Sequence, residues 1–143
     1  MMVIDYIEPN LGECVVVSYD GEYDNDNGSY KGAGVAQLDN DCKYAGLFLN
    51  GMFHGKGQFT WPNGVVYDGE FEFGIMNGKG VYTWYDGSSY QGGIKCGKRH
   101  GQGKFLGSSG QMYEGQWKNG KRHGNGKLIY NDSKTSHYTV GRV

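Results

Sequence analysis

The stretch YDGEFEFGIMNGKGVYTW, residues 67–84, decides the fold of this chain. Tyr67, Gly69 and Phe71 fall on one phase of a two-residue alternation, and the acidic residues between them fall on the other. A period of two is typical of a β-strand that buries one face, and it does not fit a helix. A second run with the same alternation follows, and residues 73–77 between the runs predict a turn. The stretch therefore predicts a β-hairpin.

The same pattern recurs with a period of 23 residues along most of the chain. Tyrosine, glycine, aromatic, histidine and paired glycine positions return in phase, in units that begin at Tyr44, Tyr67, Tyr90 and Tyr113. An earlier unit begins at Tyr19 and carries two extra residues before the next one starts. A fixed short period indicates an array in which each unit buries its apolar face against its neighbours.

The repeat predicts an all-β protein, namely an elongated, single-layer antiparallel meander of hairpins with about ten strands. Residues 1–18 are predicted to form an N-terminal cap, because their apolar segments precede the first unit. Residues 19–130 hold the repeats. The pattern decays after that point, so residues 131–143 are predicted to be a degenerate C-terminal tail.

The composition explains how a single sheet could form a core. The chain has 27 glycines among 143 residues, together with 12 tyrosines, 6 phenylalanines and 3 tryptophans. Gly-rich disordered linkers lack such aromatic content, and collagen would need glycine at every third position. Glycine weakens a strand unless something compensates, so glycines beside aromatics on a buried face predict slots filled by rings from neighbouring strands.

The charge and cysteine patterns limit which partners and which cellular compartment are expected. Residues 1–41 hold nine acids against one lysine, whereas residues 88–128 hold eight bases against one glutamate. The chain therefore has an acidic and a basic part, while its net charge of −1 argues against nucleic acid as a partner. Three distant cysteines form neither a disulfide framework nor a zinc motif. With no signal peptide recognised, a cytoplasmic location is expected.

Phosphate and metal sites are poorly supported. Residues 92–98 and 115–121 match GxxxxGK, but arginine follows where a P-loop needs serine or threonine, and no helix is expected there. His54, His100 and His123 share one column of the repeat with Asn77. Successive units lie about 9–10 Å apart, too far for one ion. A shared backbone role in the turns explains this column better.

Other chemistry finds no support either. The acidic residues around DNDNG, residues 24–28, suggest calcium, but the EF-hand positions for glycine and glutamate are not filled. A solvated acidic hairpin is the favoured interpretation. No nucleophile has a base and an orienting acid in its neighbourhood, and a single sheet offers no deep pocket. We expect a protein that is not an enzyme and that carries no cofactor and no metal.

Three surface features remain as candidate binding sites for a partner. A basic edge is predicted from the loops of the last two clean units: Lys98, Arg99, Lys104, Lys121, Arg122 and Lys127. A groove lined by aromatic rings is predicted to receive an extended peptide or a helix: Tyr67, Phe71, Tyr90, Tyr113, Trp117, Trp61 and Trp84. An apolar strip is predicted to point outward: Ala45, Leu47 and Leu49. Exposed apolar strips usually have a partner.

The pattern Tyr-x-Gly-x-Phe/Trp-x-x-Gly-x-x-His-Gly-x-Gly resembles the MORN repeat (membrane occupation and recognition nexus) over about residues 19–130. Within that family, the segments SYDGEY, GVYTWYDGSSYQGG and NGKRHG resemble the repeats of axonemal radial spoke head proteins. The resemblance implies a protein-interaction scaffold of the cytoskeleton, in the axoneme of a cilium or flagellum, with other spoke-head components as partners. A homodimer is left open.

An alternative function is association with anionic phospholipid membranes, an activity often proposed for this family. The basic hairpin loops would supply the attraction to the lipid head groups. A third interpretation, a regulatory module of a larger enzyme, is weaker because no second domain is recognised in the chain.

Overall fold

A computed structural model describes residues 6–12, 14–129 and 135–140 of the chain, the last six as a backbone strand. Of the predicted cap, residues 1–5 and 13 lie outside the described residues, as do residues 131–134 and 141–143 of the predicted tail. The described secondary structure is all strand. No helix among these residues has the length and apolar character needed to cross a bilayer.

Eleven strands form one antiparallel sheet in which each strand pairs with the next in sequence. Their bounds are β1 Val16–Tyr23, β2 Tyr30–Leu38, β3 Lys43–Leu49, β4 Met52–Thr60, β5 Val66–Glu72, β6 Ile75–Thr83, β7 Ser89–Lys95, β8 Lys98–Leu106, β9 Met112–Lys118, β10 Lys121–Ile129 and β11 Thr135–Val140. The predicted single-layer meander of hairpin repeats is confirmed.

Tight turns close the hairpins at one edge of the sheet. Residues 50–51, 73–74, 96–97 and 119–120 have positive φ at both positions, near 50° and then near 80°. Positive φ at both central residues defines the type I′ turn, whose twist matches that of paired strands. The turn predicted over residues 73–77 is therefore shorter than expected, and β6 begins at Ile75. Phe73 adopts this left-handed conformation without the tolerance of asparagine or glycine.

Glycines form an unbroken row across the first ten strands. The members pair in register from strand to strand: Gly21, Gly34, Gly46, Gly57, Gly69, Gly80, Gly92, Gly103, Gly115 and Gly126. A Cβ atom on Gly69 would lie 2.5 Å from the Cα atom of Gly80, and one on Gly80 would lie 2.5 Å from Cε1 of Tyr67. The tyrosine ring of each hairpin therefore lies directly on glycine backbone, as the predicted slots require.

A bulge in each hairpin accommodates the tyrosine hydroxyl. In the β5–β6 pair, Gly69 lies opposite Gly80 and Phe71 lies opposite Met76, so the second strand holds two extra residues. The hydroxyl of Tyr67 donates a hydrogen bond of 2.8 Å to the carbonyl oxygen of Glu70 beside this bulge. Tyr44 and Tyr90 make the same bond in their own hairpins. The repeat thus satisfies a buried hydroxyl within a single unit.

The buried tyrosines predict loss of stability at alkaline pH. Burial raises the pKa of Tyr90 to about 12, and it raises the pKa values of Tyr44, Tyr67 and Tyr82 further still. Unfolded tyrosine ionises near pH ~10, so the folded state holds these protons more tightly. The stabilisation is complete below pH ~10 and is lost as the pH rises through about 12. We expect absorbance at 295 nm and circular dichroism to change together over this range. Full tyrosine ionisation near pH ~10 with an intact fold would contradict it.

Candidate functional site

The structure places the seven predicted groove aromatics inside the core. Each is buried: Tyr67, Phe71, Tyr90, Tyr113, Trp117, Trp61 and Trp84. The rings of Tyr67, Tyr90 and Tyr113 lie on the glycine row. In the folded chain these rings are therefore buried rather than exposed in an open groove, and their binding of a partner stays a prediction. The physical reason is that aromatic rings and glycine slots come from the same sheet and satisfy each other.

Residues 6–12, here named the strap, cover this aromatic face. The indole Nε1 of Trp61 donates a 2.9 Å hydrogen bond to the carbonyl oxygen of Asn10. The indole Nε1 of Trp84 donates a 3.0 Å bond to the carbonyl oxygen of Ile7. The strap therefore runs over the middle of the array, whereas the sequence predicted an N-terminal cap beside the first unit.

The side chain of Tyr6 anchors one end of the strap. Its ring lies 5.3 Å from that of Trp84 and 4.9 Å from that of Phe105, measured between centroids. Its hydroxyl donates a 2.6 Å hydrogen bond to Oδ2 of Asp86 and accepts a 3.2 Å bond from Oγ of Ser88. The bond from Tyr6 lowers the pKa of the Asp86 carboxyl. Asp86 and Ser88 were not predicted as site residues, because they resemble ordinary turn residues.

Arg99 forms a buried ion pair with Glu8 of the strap. The Nε atom and the backbone N of Arg99 donate bonds of 2.8 and 2.9 Å to Oε2 of Glu8. Its Nη2 donates to the carbonyl oxygen of Tyr6. The guanidinium also lies over the rings of Trp84 and Trp117, at 5.2 and 4.9 Å. Both residues of the ion pair are only 6% exposed.

The assignment of Arg99 to an exposed basic edge is therefore corrected. Its position in the repeat is occupied by Phe53 and Met76 in the two preceding units, where the side chain packs into the core. The arginine keeps that inward direction. Burial of a guanidinium needs an acid, and the strap supplies one. The corresponding Arg122 is exposed and lies 5.4 Å from the ring of Tyr113.

Four lysines form a cationic pair of turns at the sheet edge, here named the lysine turns. Lys95 lies directly opposite Lys98, and Lys118 lies directly opposite Lys121 in the next hairpin. The predicted basic edge included Lys98 and Lys121 but not Lys95 or Lys118. The two-residue spacing of a type I′ turn could have revealed them, because it places the flanking residues side by side.

Lys104 and Lys127 lie elsewhere. Both are exposed in the middle of their strands, and each pairs across the sheet with Glu114 between them. They therefore belong to the outer face with a neighbouring acid, rather than to the edge that was predicted for them.

The predicted apolar strip lies on the outer face near the start of the array. Leu47 is 44% exposed, while Ala45 and Leu49 are half-buried. Ala45 pairs with Val35 of β2, which is also exposed, so the apolar surface extends across at least two strands.

In the histidine column, His54 and Asn77 have the backbone role that the sequence favoured, whereas the buried Nδ1 of His100 makes no hydrogen bond to any residue that the structure describes. Nδ1 of His54 accepts a 3.3 Å hydrogen bond from the backbone N of Phe73, and Oδ1 of Asn77 accepts one of the same length from Cys96. Both donors are the left-handed residues of the next tight turn. The described residues contain no group of three or more potential ligands arranged for a metal ion.

Comparison with protein families agrees with this architecture. The MORN repeat matches residues 44–66, 67–89, 90–112 and 113–135, which together make up well over half of the chain. A comparison with curated proteins finds no match. MORN repeats suggest a protein-interaction or membrane-binding module. With four consecutive repeats that coincide with the structural hairpins, the chain belongs to the MORN-repeat family.

Proposed function

We propose that this protein is a non-enzymatic scaffold that binds protein partners in the axoneme of a cilium or flagellum. The partners are components of the radial spoke head. The proposal draws on the likeness of several segments to the repeats of radial spoke head protein 10 homologue. The proposal is also consistent with the small size of the cavity beside the strap. This cavity is lined by residues including Met76 and Lys98, and its volume is about 140 Å³. Small-molecule sites usually measure roughly 300–1,000 Å³.

The lysine turns are the observation that carries the proposal. Like charges directly opposite each other destabilise a hairpin, so the fold gains nothing from them. The corresponding pairs in earlier hairpins are Leu49 with Met52 and Glu72 with Ile75, which shows that the turn does not need lysine. Four cationic groups at one edge favour a partner with a negatively charged surface.

The same lysines support the second candidate function, which is binding to anionic phospholipid membranes. Clustered lysines near a charged bilayer add attraction in proportion to their number, and this attraction is screened by salt. A lipid surface and an acidic protein would therefore respond alike to salt, so the two functions must be separated by the identity of the bound material.

A pair of charge reversals tests both functions. Lys98→Glu with Lys121→Glu places an acid opposite each remaining lysine, so the charge of the turns is cancelled while the hairpins gain attractive pairs. Lys43→Glu with Lys79→Glu makes the same change in net charge at exposed positions elsewhere. We expect wild type and the control to capture spoke-head proteins, identified by mass spectrometry from ciliated cells, and the Lys98/Lys121 variant to lose them.

Vesicles containing phosphatidylserine provide the opposing measurement. The scaffold proposal expects little co-sedimentation with any of the three proteins at physiological salt. If wild type and control bind vesicles in a salt-dependent manner, the Lys98/Lys121 variant does not, and no spoke-head protein is captured, the membrane function replaces the scaffold.

A further inference from the structure

The strap lies on the sheet in the manner of a bound peptide. Its side chains alternate as in an extended chain, with Tyr6 and Glu8 directed toward the sheet and Ile7, 65% exposed, directed away. Within the described residues it is not part of any strand of the sheet. Gly12 at its end has a φ of 70°, which allows the chain to change direction there.

The sheet provides a donor for the backbone of this segment at two successive repeats. The indoles of Trp61 and Trp84 occupy equivalent positions, and each donates to a strap carbonyl oxygen. Carbonyl oxygens are present in every peptide, so these two bonds hold an extended chain without reading its sequence.

Two pockets of the sheet recognise side chains of the strap. The first surrounds a carboxylate: Nε and the backbone N of Arg99 both donate to Glu8, and a Cβ atom on Gly120 would lie 2.7 Å from its Oε1, so glycine leaves room for the acid. The second surrounds a phenol, with Asp86 and Ser88 at its hydroxyl and the ring of Phe105 at its side. Together they select an aromatic residue two positions before an acidic one.

We infer that this face is a binding site for an extended peptide segment with a tyrosine–any–acidic pattern, and that the strap occupies the site from within the same chain. A partner protein carrying that pattern exchanges with the strap. This inference rests on the proposed scaffold function, since it names the chemistry of a partner. The tethered strap competes at a high effective concentration, so the segment of the partner binds weakly unless other contacts assist it.

The test keeps the full chain and cuts it after folding. A protease recognition sequence inserted after Gly12 allows the strap to be severed, and a fluorescently labelled peptide DYIEPNLG, with blocked ends, is then added. We expect the cut protein to stay folded and to bind the peptide, as measured by fluorescence anisotropy. The uncut protein should bind on the order of 100-fold more weakly, because its own strap competes.

Matched peptides test the two pockets. The Glu8→Gln peptide is expected to bind about 30-fold more weakly or worse, because it leaves a buried arginine without its acid. A peptide with Ile7→Ala should bind almost as well as the original, since that side chain faces solvent. Equal affinities of the Gln and Glu peptides would overturn the carboxylate pocket.

Two further outcomes would overturn the inference as a whole. If near-ultraviolet circular dichroism is lost once the severed strap is dialysed away, the strap is an integral part of the core. If the cut protein stays folded but does not exchange with the peptide, the face does not bind such segments in trans. Neither result depends on the lysine turns, so failure of the spoke-head capture and failure of the peptide exchange can be distinguished.

Discussion

Gly80→Ala is expected to lower the free energy of unfolding by about 3 kcal/mol, the upper end of the usual cost of overpacking. The new methyl group would lie 2.5 Å from Cε1 and Oη of Tyr67. That ring is fully buried, and its hydroxyl is held by the carbonyl oxygen of Glu70, so it cannot move aside without breaking the bond. Urea denaturation followed by circular dichroism measures the loss.

Gly101→Ala is the matched control for this substitution. Gly101 has no atom within 4 Å of the added Cβ, but its φ of 80° is unfavourable for alanine, at a cost of roughly 1–2 kcal/mol. Gly80 is not in the left-handed region, so a larger loss for Gly80→Ala comes from the steric contact in the glycine row rather than from backbone strain. If both variants lose the same stability, the ring does not rest on the glycine backbone as described.

Glu8→Gln is expected to release the strap rather than to unfold the sheet. Breaking a buried ion pair by removing one partner costs about 3–5 kcal/mol. Here this loss reduces the free energy with which the strap docks on the sheet. The indoles of Trp61 and Trp84 lose their carbonyl acceptors when the strap leaves. We therefore expect a red shift in tryptophan emission, while the sheet strands stay protected from hydrogen exchange.

A compensating substitution distinguishes loss of the ion pair from a local packing defect. Adding Arg99→Met to Glu8→Gln removes the uncompensated charge and places at position 99 the residue found at position 76 of the preceding unit. Because replacing both members of a buried pair is often neutral, the double variant should regain most of the native tryptophan emission. A double variant as open as Glu8→Gln would show that the arginine is not the cause.

Most of the fold could be predicted from the sequence because its determinants are local and repeated. The two-residue alternation fixes the inward face of each strand, and the 23-residue period fixes the register of the glycine row. The turn role of His54 and Asn77 could be assigned for the same reason. Each of these features lies within one unit or between neighbouring units.

The strap and its arginine could not be predicted in this way. The contacts of Glu8 with Arg99 span 91 residues and occur once, so no period reveals them. The two extra residues of the bulge also separate Arg99 from the simple alternation that marks core positions. Comparison with Phe53 and Met76 in the same column was the signal that would have placed it inside.

The two indoles give the aromatic face a fixed spacing between hydrogen-bond donors. Trp61 and Trp84 are one repeat apart, which is two strand separations of about 4.8 Å, and they hold carbonyl groups three residues apart. Three residues of extended chain cover about 10 Å, so chain and sheet are commensurate. One repeat of the sheet thus corresponds to three residues of an extended chain that lies across it. A peptide lengthened by one residue between the positions of Ile7 and Asn10 can satisfy one indole but not both.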